Sequence, residues 1–470
     1  MDARTQDLAP AATPDAGPAP ARLGVVRFAQ PSLRPALTFL HRWVGLFIAG
    51  FLFVSGVTGA VISWDHELDD VLNPHLMFAQ SKGGPALPPL DLARQIEARD
   101  PRVQVTYLPL APEPGGTLAF GVSPKRNPAT GKLFEPHYNQ VFIDPATGAE
   151  QGRREWGAVW PITSETFVSF LYVLHYTLHI PEMWGIDRWG IWLLGGVAIL
   201  WTLDCFVGFY LTLPPRQKAA RRGTGGRAAK GFWARWKPAW VIKTSASAYR
   251  INFDIHRAFG LWLWGVLFTV AFTAFSLNLY SEVFYPVMSK VSKVTPGPFD
   301  LRKPADLHAP IVATRTYAQV LDSARAEAAR RGWRAPAGGA FYSPEYGLYG
   351  VAFHEPGGDH GAAGVGPPYL YYDGKSGALV GVSQPWKGTA ADIFVQAQFP
   401  LHSGRILGLP GRILISVMGL VVAMLSVTGV VIWLRKRSAH ARSQLQQDGA
   451  GAAPAGLPSA ATVVQAGARG

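Results

Sequence analysis

Long apolar runs alternate with long polar stretches along this chain. The four runs are Leu37–Ser63, Trp189–Leu213, Ile255–Tyr280 and Leu409–Leu434. Each is close to the roughly 20 residues that a helix needs to cross the hydrocarbon core of a bilayer. The pattern therefore predicts a membrane α-helical protein with four transmembrane helices.

The two long segments between these runs share a second pattern. Each begins with a helical stretch, PLDLARQIEARD or YAQVLDSARAEAARRGWR, and continues into alternating, strand-like sequence. Each ends in a hairpin signal, with Asp144, Thr147 and Gly148 in the first segment and Asp373, Ser376 and Gly377 in the second. We expect one small α+β domain in each segment.

The whole chain is thus an internal duplication of span, domain and span. The sequence LHRWVGLFIAG at residues 40–50 returns as IHRAFGLWLWG at residues 255–265. The later spans also correspond, with Arg188 matching Arg412 and Gly195 matching Gly419. A repeated unit of this size indicates a repeated structural unit.

The distribution of charge orients these spans. The chain has 470 residues and a net charge of +13, and residues 216–257 hold eleven Lys or Arg against a single acid. Excess Lys and Arg beside span ends marks the cytoplasmic side. Both termini are therefore predicted to be cytoplasmic and both α+β domains to lie outside, and the basic charge gives no reason to invoke nucleic acid.

These patterns divide the chain into nine parts. Apolar and aromatic content of 48% and 12% suits neither a disordered nor an ordinary soluble protein, although both Ala-rich ends are predicted to be disordered. The Trp-rich stretch at 232–240 is interpreted as an anchor on the inner membrane surface. The parts are a tail (1–34), span 1 (35–64), outer domain 1 (65–165), an outer helix with span 2 (166–214), a basic loop (215–254), span 3 (255–280), outer domain 2 (281–400), span 4 (401–436) and a tail (437–470).

Histidines at the span ends are the candidate chemistry, because an ionisable group in a membrane marks a functional site by default. His41 and His256 begin spans that run outward, whereas His402 and either His175 or His179 precede spans that run inward. Two imidazole pairs at opposite faces of a four-helix bundle suit two six-coordinate haems with histidine axial ligands. The plainer interpretation, hydrogen-bonded packing at helix ends, accounts well for one histidine and poorly for two duplicated pairs.

Other polar groups near the spans have alternative interpretations. Arg42 and Arg257 follow two of these histidines and could pair with haem propionates or simply anchor the inner side. Asp204 lies within the second span, where a hydrogen bond to a neighbouring helix is favoured over a proton or quinol site. The remaining outer histidines have no zinc-like spacing and are interpreted as loop residues: His66, His75, His137, His308, His354 and His360.

The chain resembles the PepSY-associated transmembrane-helix proteins, often called iron-regulated membrane proteins. The resemblance spans about Pro35–Arg437 and rests on LHRWVGLFIAGFLFVSGVTG, SWDHELDDVLNP, LHYTL, DIHRAFGLWLWG, LHSGRILGLPGR and the two hairpins. It implies PepSY-like outer domains, a place in the bacterial inner membrane, two haem b groups and ferric-siderophore reduction. His175 occupies the family's LHY position, which favours it over His179, although His179 has the more similar distance to its arginine.

Some classes of function are less well supported. Cys205 is the single cysteine, so a disulfide or an iron–sulfur cluster is excluded. Without a Gly-rich dinucleotide fingerprint, the electron donor would be a separate cytoplasmic flavoprotein or a quinol. The main competing interpretation is a non-enzymatic protein whose PepSY-like domains bind peptides or regulate a protease. A transporter is ranked last, because no span is visibly broken by a proline in its middle.

Overall fold

Long apolar helices form one end of the molecule. The computed structural model describes residues 33–81, 83–215, 230–306 and 308–451, so most of both predicted tails and the basic stretch 216–229 lie outside the described residues. Three helices are long and apolar enough to cross a membrane, and a bent helix pair would make a fourth span. The chain is a membrane protein with transmembrane helices; the count of four remains a prediction.

The described residues contain helices of very different lengths. Short 3₁₀ segments cover Lys237–Trp240, Ala362–Gly364 and Arg405–Leu407, and a π-helical turn covers Tyr280–Phe284. The α-helices are α1 (Leu33–Ile62), α2 (Asp65–Leu72), α3 (Pro74–Met77), α4 (Pro89–Arg99), α5 (Ser164–Thr177), α6 (Trp189–Thr212), α7 (Phe232–Trp236), α8 (Ala248–Trp262), α9 (Trp264–Asn278), α10 (Tyr285–Val291), α11 (Tyr317–Arg330), α12 (Ala390–Gln396), α13 (Gln398–Ser403) and α14 (Leu409–Gly451).

The apolar run Ile255–Tyr280, predicted as the third transmembrane helix, is interrupted by a bend in the structure. The helix is interrupted at Leu263, and the helices on either side, α8 and α9, meet at a bend of 72°. No proline is involved; the break falls between Gly260 and Gly265, and glycine is the weakest helix former after proline. The aromatic ring of Trp264, directly after the break, packs against Phe206 and Phe209 of α6, so apolar groups rather than a polar transport site flank the bend.

The helices form a closed ring of neighbours. Helix α1 packs against α14 and α6, α6 packs against α9, and α14 packs against α8. Helix α14 continues to Gly451, beyond residue 437 where the tail was predicted to begin. The Trp-rich stretch forms α7 and the following 3₁₀ turn, and its Trp236 packs on Phe209.

Each of the two long segments contributes four strands, and all eight strands join in one antiparallel sheet. The strands are β1 (Val103–Pro109), β2 (Leu118–Pro124), β3 (Gln140–Ile143), β4 (Glu150–Arg154), β5 (Ala337–Ser343), β6 (Leu348–Phe353), β7 (Tyr369–Asp373) and β8 (Leu379–Ser383), in the order β4-β3-β2-β1-β5-β6-β7-β8. The two halves meet through β1 and β5, where Leu108 pairs with Ala340. The sequence did not indicate this junction between the two expected domains.

The predicted helices and hairpins are present in the structure. Helices α4 and α11 bury Ile96 and Leu321 in one apolar core with residues from both halves of the sheet. In the second hairpin the Asp373 carboxylate accepts from the backbone N–H of Ser376 and Lys375. The Ser376 N–H, together with the Arg302 guanidinium, holds the pKa of Asp373 well below its usual value. Gly377 follows in a left-handed conformation, with φ of +77°.

Two ion pairs tie the repeats to each other at the sheet side of the bundle. Arg188 of the first repeat pairs with Glu282 of the second at 2.9 Å, and Arg412 of the second pairs with Glu67 of the first at 2.7 Å. Glu67 lies 26 residues after His41, and Glu282 lies 26 residues after His256. The duplication seen in the sequence is therefore a pseudo-twofold relationship in space.

Close packing of α1 on α14 depends on two glycines. A Cβ atom on Gly56 would lie 2.6 Å from the carbonyl oxygen of Gly419, so Gly56→Ala is expected to force the helices apart and destabilise the protein by about 1–3 kcal/mol. Thermal unfolding of the detergent-solubilised protein measures this. Gly50→Ala, on the same helix with no atom within 4 Å, is the control. An equal melting temperature for the two variants would contradict the prediction.

Candidate functional site

Four of the predicted histidines come together as two pairs at different depths of the bundle. His175 of α5 and His402 of α13 form the sheet-side pair, with ring centroids 6.2 Å apart. His41 of α1 and His256 of α8 form the far-side pair, with centroids 6.3 Å apart. Helix α1 is continuous from His41 to Ser55, a rise of about 21 Å, and Ser55 contacts the sheet-side pair.

The separation within each pair suits one metal ion between two imidazoles. With metal–nitrogen bonds of about 2.0–2.1 Å, two rings on opposite sides of an ion have centroids roughly 6.4 Å apart. The observed 6.2 and 6.3 Å agree with this value. None of the four Nε2 atoms has a hydrogen-bond partner among the described residues, so each is free to ligate.

In the sheet-side pair the other ring nitrogen, Nδ1, is held by a transmembrane helix. Nδ1 of His175 lies 2.9 Å from the carbonyl oxygen of Ser55 and 3.1 Å from the hydroxyl oxygen of Thr58, both on α1. Nδ1 of His402 lies 3.0 Å from the hydroxyl oxygen of Thr273 on α9. A histidine ligand with its second nitrogen held in this way has a fixed ring orientation.

The far-side pair has one partner of the same kind and one that differs. Nδ1 of His256 lies 3.1 Å from the carbonyl oxygen of Leu425 and 3.0 Å from the hydroxyl oxygen of Thr428 on α14. Nδ1 of His41 instead lies 2.9 Å from each carboxylate oxygen of Asp204 on α6. The hydrogen bond predicted between Asp204 and a neighbouring helix is confirmed, and its partner is a candidate ligand.

Glycines beside the rings leave room for them. A Cβ atom on Gly59 would lie 2.8 Å from Cε1 of His175, and one on Gly429 would lie 3.2 Å from Cε1 of His256. Gly208 lies beside His41, where a Cβ atom would make an ordinary contact at 3.5 Å. Three of the four imidazoles are therefore seated against a helix position that has no side chain.

A cavity of about 430 Å³ lies beside the sheet-side pair, within the roughly 300–1,000 Å³ usual for small-molecule and cofactor sites. Apolar side chains such as Leu52, Val197 and Met418 line it, together with both histidines. Asp65 and Arg405 also line it, and their charged groups lie 3.6 Å apart. An apolar cavity with convergent imidazoles and a basic group fits haem.

The structure places His179 away from the pair. Its Nε2 lies 2.9 Å from the carbonyl oxygen of Phe170, and its ring stacks on that of Phe170 at 4.7 Å. Arg42 stacks near Phe39 and Trp43, whereas Arg257 donates to Asp254 over 2.7 Å. Pairing of either arginine with a propionate remains a prediction.

Several residues of these sites were missed from sequence. Thr58 lies 17 residues after His41, and Thr273 lies 17 residues after His256, so the duplication itself could have identified them. Arg405 could not be recognised, because its place at the cavity depends on a 3₁₀ turn. His66 and His360, interpreted as separate loop residues, lie side by side with ring centroids 5.1 Å apart.

Comparison with known proteins agrees with this architecture. No curated protein matches the sequence significantly. A family model described as PepSY-associated TM region matches residues 38–436, which include all four paired histidines and the eight-stranded sheet. The chain therefore belongs to the family of PepSY-associated transmembrane-region proteins.

Proposed function

We propose that the protein is a dihaem b oxidoreductase that passes electrons across the membrane to an acceptor on the sheet side. The observation that carries the proposal is the pairing of four histidines at 6.2 and 6.3 Å, each with Nδ1 held and Nε2 free. Haem b, when bound, supplies reversible one-electron chemistry at potentials set by its axial ligands and their hydrogen bonds.

The protein's own groups define the two sites. A carbonyl or carboxylate acceptor at Nδ1 keeps the proton on that nitrogen and leaves the Nε2 lone pair for iron. Apolar side chains line the cavity beside the sheet-side pair and would favour burial of a porphyrin ring, and Arg405, which lines the same cavity, would neutralise a propionate. With a single cysteine, the chain offers no cysteine pair for covalent attachment, which favours b-type over c-type haem.

The proposal places the protein in the bacterial inner membrane with both termini cytoplasmic. The excess of Lys and Arg on the side away from the sheet supports this orientation. Electrons would enter at His41 and His256 from a cytoplasmic flavoprotein or a quinol and leave at His175 and His402. The axial rise between the pairs calls for two centres rather than one.

A ferric siderophore is the proposed acceptor, and the family resemblance is its support. Hard oxygen ligands hold Fe³⁺ far more tightly than Fe²⁺, so one-electron reduction releases the metal and leaves the chelator intact. The eight-stranded sheet lies on the same side as the cavity and offers a surface for such a ligand. The alternative of a peptide-binding or protease-regulating protein would leave both histidine pairs without a role.

The absorption spectrum of the purified protein tests the proposal. About two haems per chain are expected, with low-spin b-type Soret and alpha bands that sharpen on adding dithionite, because bis-imidazole ligation gives six-coordinate iron. Haem extraction and protein quantification give the ratio. Protein that is folded, purified from haem-replete cells and free of these bands would refute the proposal.

A further inference from the structure

Three potential metal ligands from the two repeats meet beside the cavity. His66 lies in α2, directly after the first span, whereas Asp359 and His360 lie in the loop between β6 and β7 of the second repeat. One ligand atom from each residue lies within 4.8 Å of the others. The two imidazole rings are perpendicular, with centroids 5.1 Å apart.

A contact with a carboxylate fixes the orientation of one of these ligands. Nδ1 of His66 lies 3.2 Å from the carboxylate of Asp65, which in turn lies 3.6 Å from the guanidinium of Arg405. The side chain of Asp65 is only 19% exposed, whereas that of His66 is 60% exposed. Carboxylate–histidine–metal arrangements of this kind orient the imidazole and increase its basicity.

The cluster has no counterpart at the related positions of the second repeat. Asp65 and Arg405 line the cavity that also holds His175 and His402. At the positions related to Asp65 and His66 by the duplication, 24 and 25 residues after His256, the second repeat has Tyr280 and Ser281. The duplicated fold therefore does not account for this cluster, which lies beside the cavity through the contact of His66 with Asp65.

We propose that His66, His360 and Asp359 bind one divalent first-row transition-metal ion beside the sheet-side cavity. Two imidazoles and a carboxylate favour Fe²⁺, Co²⁺, Ni²⁺, Cu²⁺ or Zn²⁺ over Mg²⁺ or Ca²⁺, which prefer oxygen ligands only. The three protein ligands leave coordination positions open to solvent, which suits an ion that exchanges. This binding does not depend on haem.

Equilibrium dialysis against Co²⁺, with elemental analysis of cobalt and protein, tests the site on the full-length protein carrying a tag without histidine. Cobalt is counted separately from haem iron, and any cobalt held by a histidine pair without haem would be the same in the cluster variants, so the difference between the unchanged protein and the double variant reports the cluster. About one tightly bound Co²⁺ per chain is expected. His66→Gln and Asp359→Asn should each weaken binding by about 10-fold or more, and the double variant His66→Gln, His360→Gln should abolish it.

His308→Gln is the matched control, because His308 is also exposed and also lies beside a carboxylate, that of Glu182 at 3.2 Å, but is not in the cluster. It should bind cobalt as the unchanged protein does. Absence of tight cobalt binding in the unchanged protein, or equal binding by the double variant, would overturn the proposal. Since the substituted side chains are exposed, gel filtration should show that every variant stays folded.

Discussion

Replacing His402 with alanine is expected to lower the haem content from about two per chain to about one and to stop transmembrane electron flow. The reason is that His402 and His175 alone supply imidazoles to the sheet-side cavity among the described residues. His41→Ala should remove the other haem and spare the sheet-side one. Because the two sites act in series, either variant should leave less than about 1% of the electron-transfer rate measured in proteoliposomes, a loss comparable to removal of an essential catalytic group.

The neighbouring His179 supplies a matched control for these variants. Its Nε2 is already engaged by the carbonyl oxygen of Phe170, so His179→Ala should keep both haems and their low-spin spectrum. Two low-spin haems in the His402→Ala protein would contradict the proposed pairing. Haem loss in His179→Ala together with retention in His175→Ala would reverse the choice between these two residues.

The pairing of the histidines could be predicted from the sequence, apart from the choice between His175 and His179. Hydropathy located the spans, and the direction of each span determined which histidines share a face of the membrane. That reasoning grouped His41 with His256 and His402 with either His175 or His179. Choosing between the last two needed the structure, since a left-handed turn at Leu178 and His179 moves His179 out of the helical register of α5.

Features that depend on contacts between the repeats could not be predicted. The β1–β5 pairing is made by two edge strands, and an alternating pattern does not state which edges will meet. The bend at Leu263 arises in a stretch without proline, where a run of apolar residues is also compatible with a straight helix. Likewise, His66 and His360 are almost 300 positions apart in the chain, and only the fold brings them together.

Asp204 breaks the equivalence of the two repeats at their histidine pairs. It lies 16 residues after Arg188, and Thr428 lies 16 residues after Arg412. The two residues thus take matching places, one beside His41 and the other beside His256. A carboxylate at Nδ1 makes imidazole a stronger electron donor than a hydroxyl does, and its negative charge favours the ferric over the ferrous state of a nearby iron.

Asp204→Asn is therefore expected to raise the reduction potential of the far-side haem. A unit charge roughly 7 Å from the iron at an effective dielectric constant of about 20 contributes on the order of 2 kcal/mol, which corresponds to about 100 mV for one electron. The asparagine oxygen can still accept the hydrogen bond from Nδ1, so the ligand should stay in place. Spectroelectrochemical titration in the His402→Ala background, where only the far-side haem is expected, isolates this potential.

Thr428→Val in the same background separates the effect of charge from that of a hydrogen bond. It removes the hydroxyl beside His256 but leaves the carbonyl of Leu425 as acceptor for Nδ1, so a shift of no more than about 20–30 mV is expected, equivalent to roughly half a kcal/mol and typical of one neutral hydrogen bond. Equal shifts in the two variants would show that Asp204 acts only as an acceptor. An unchanged potential in Asp204→Asn would place the carboxylate outside the far-side haem site and remove the asymmetry between the repeats.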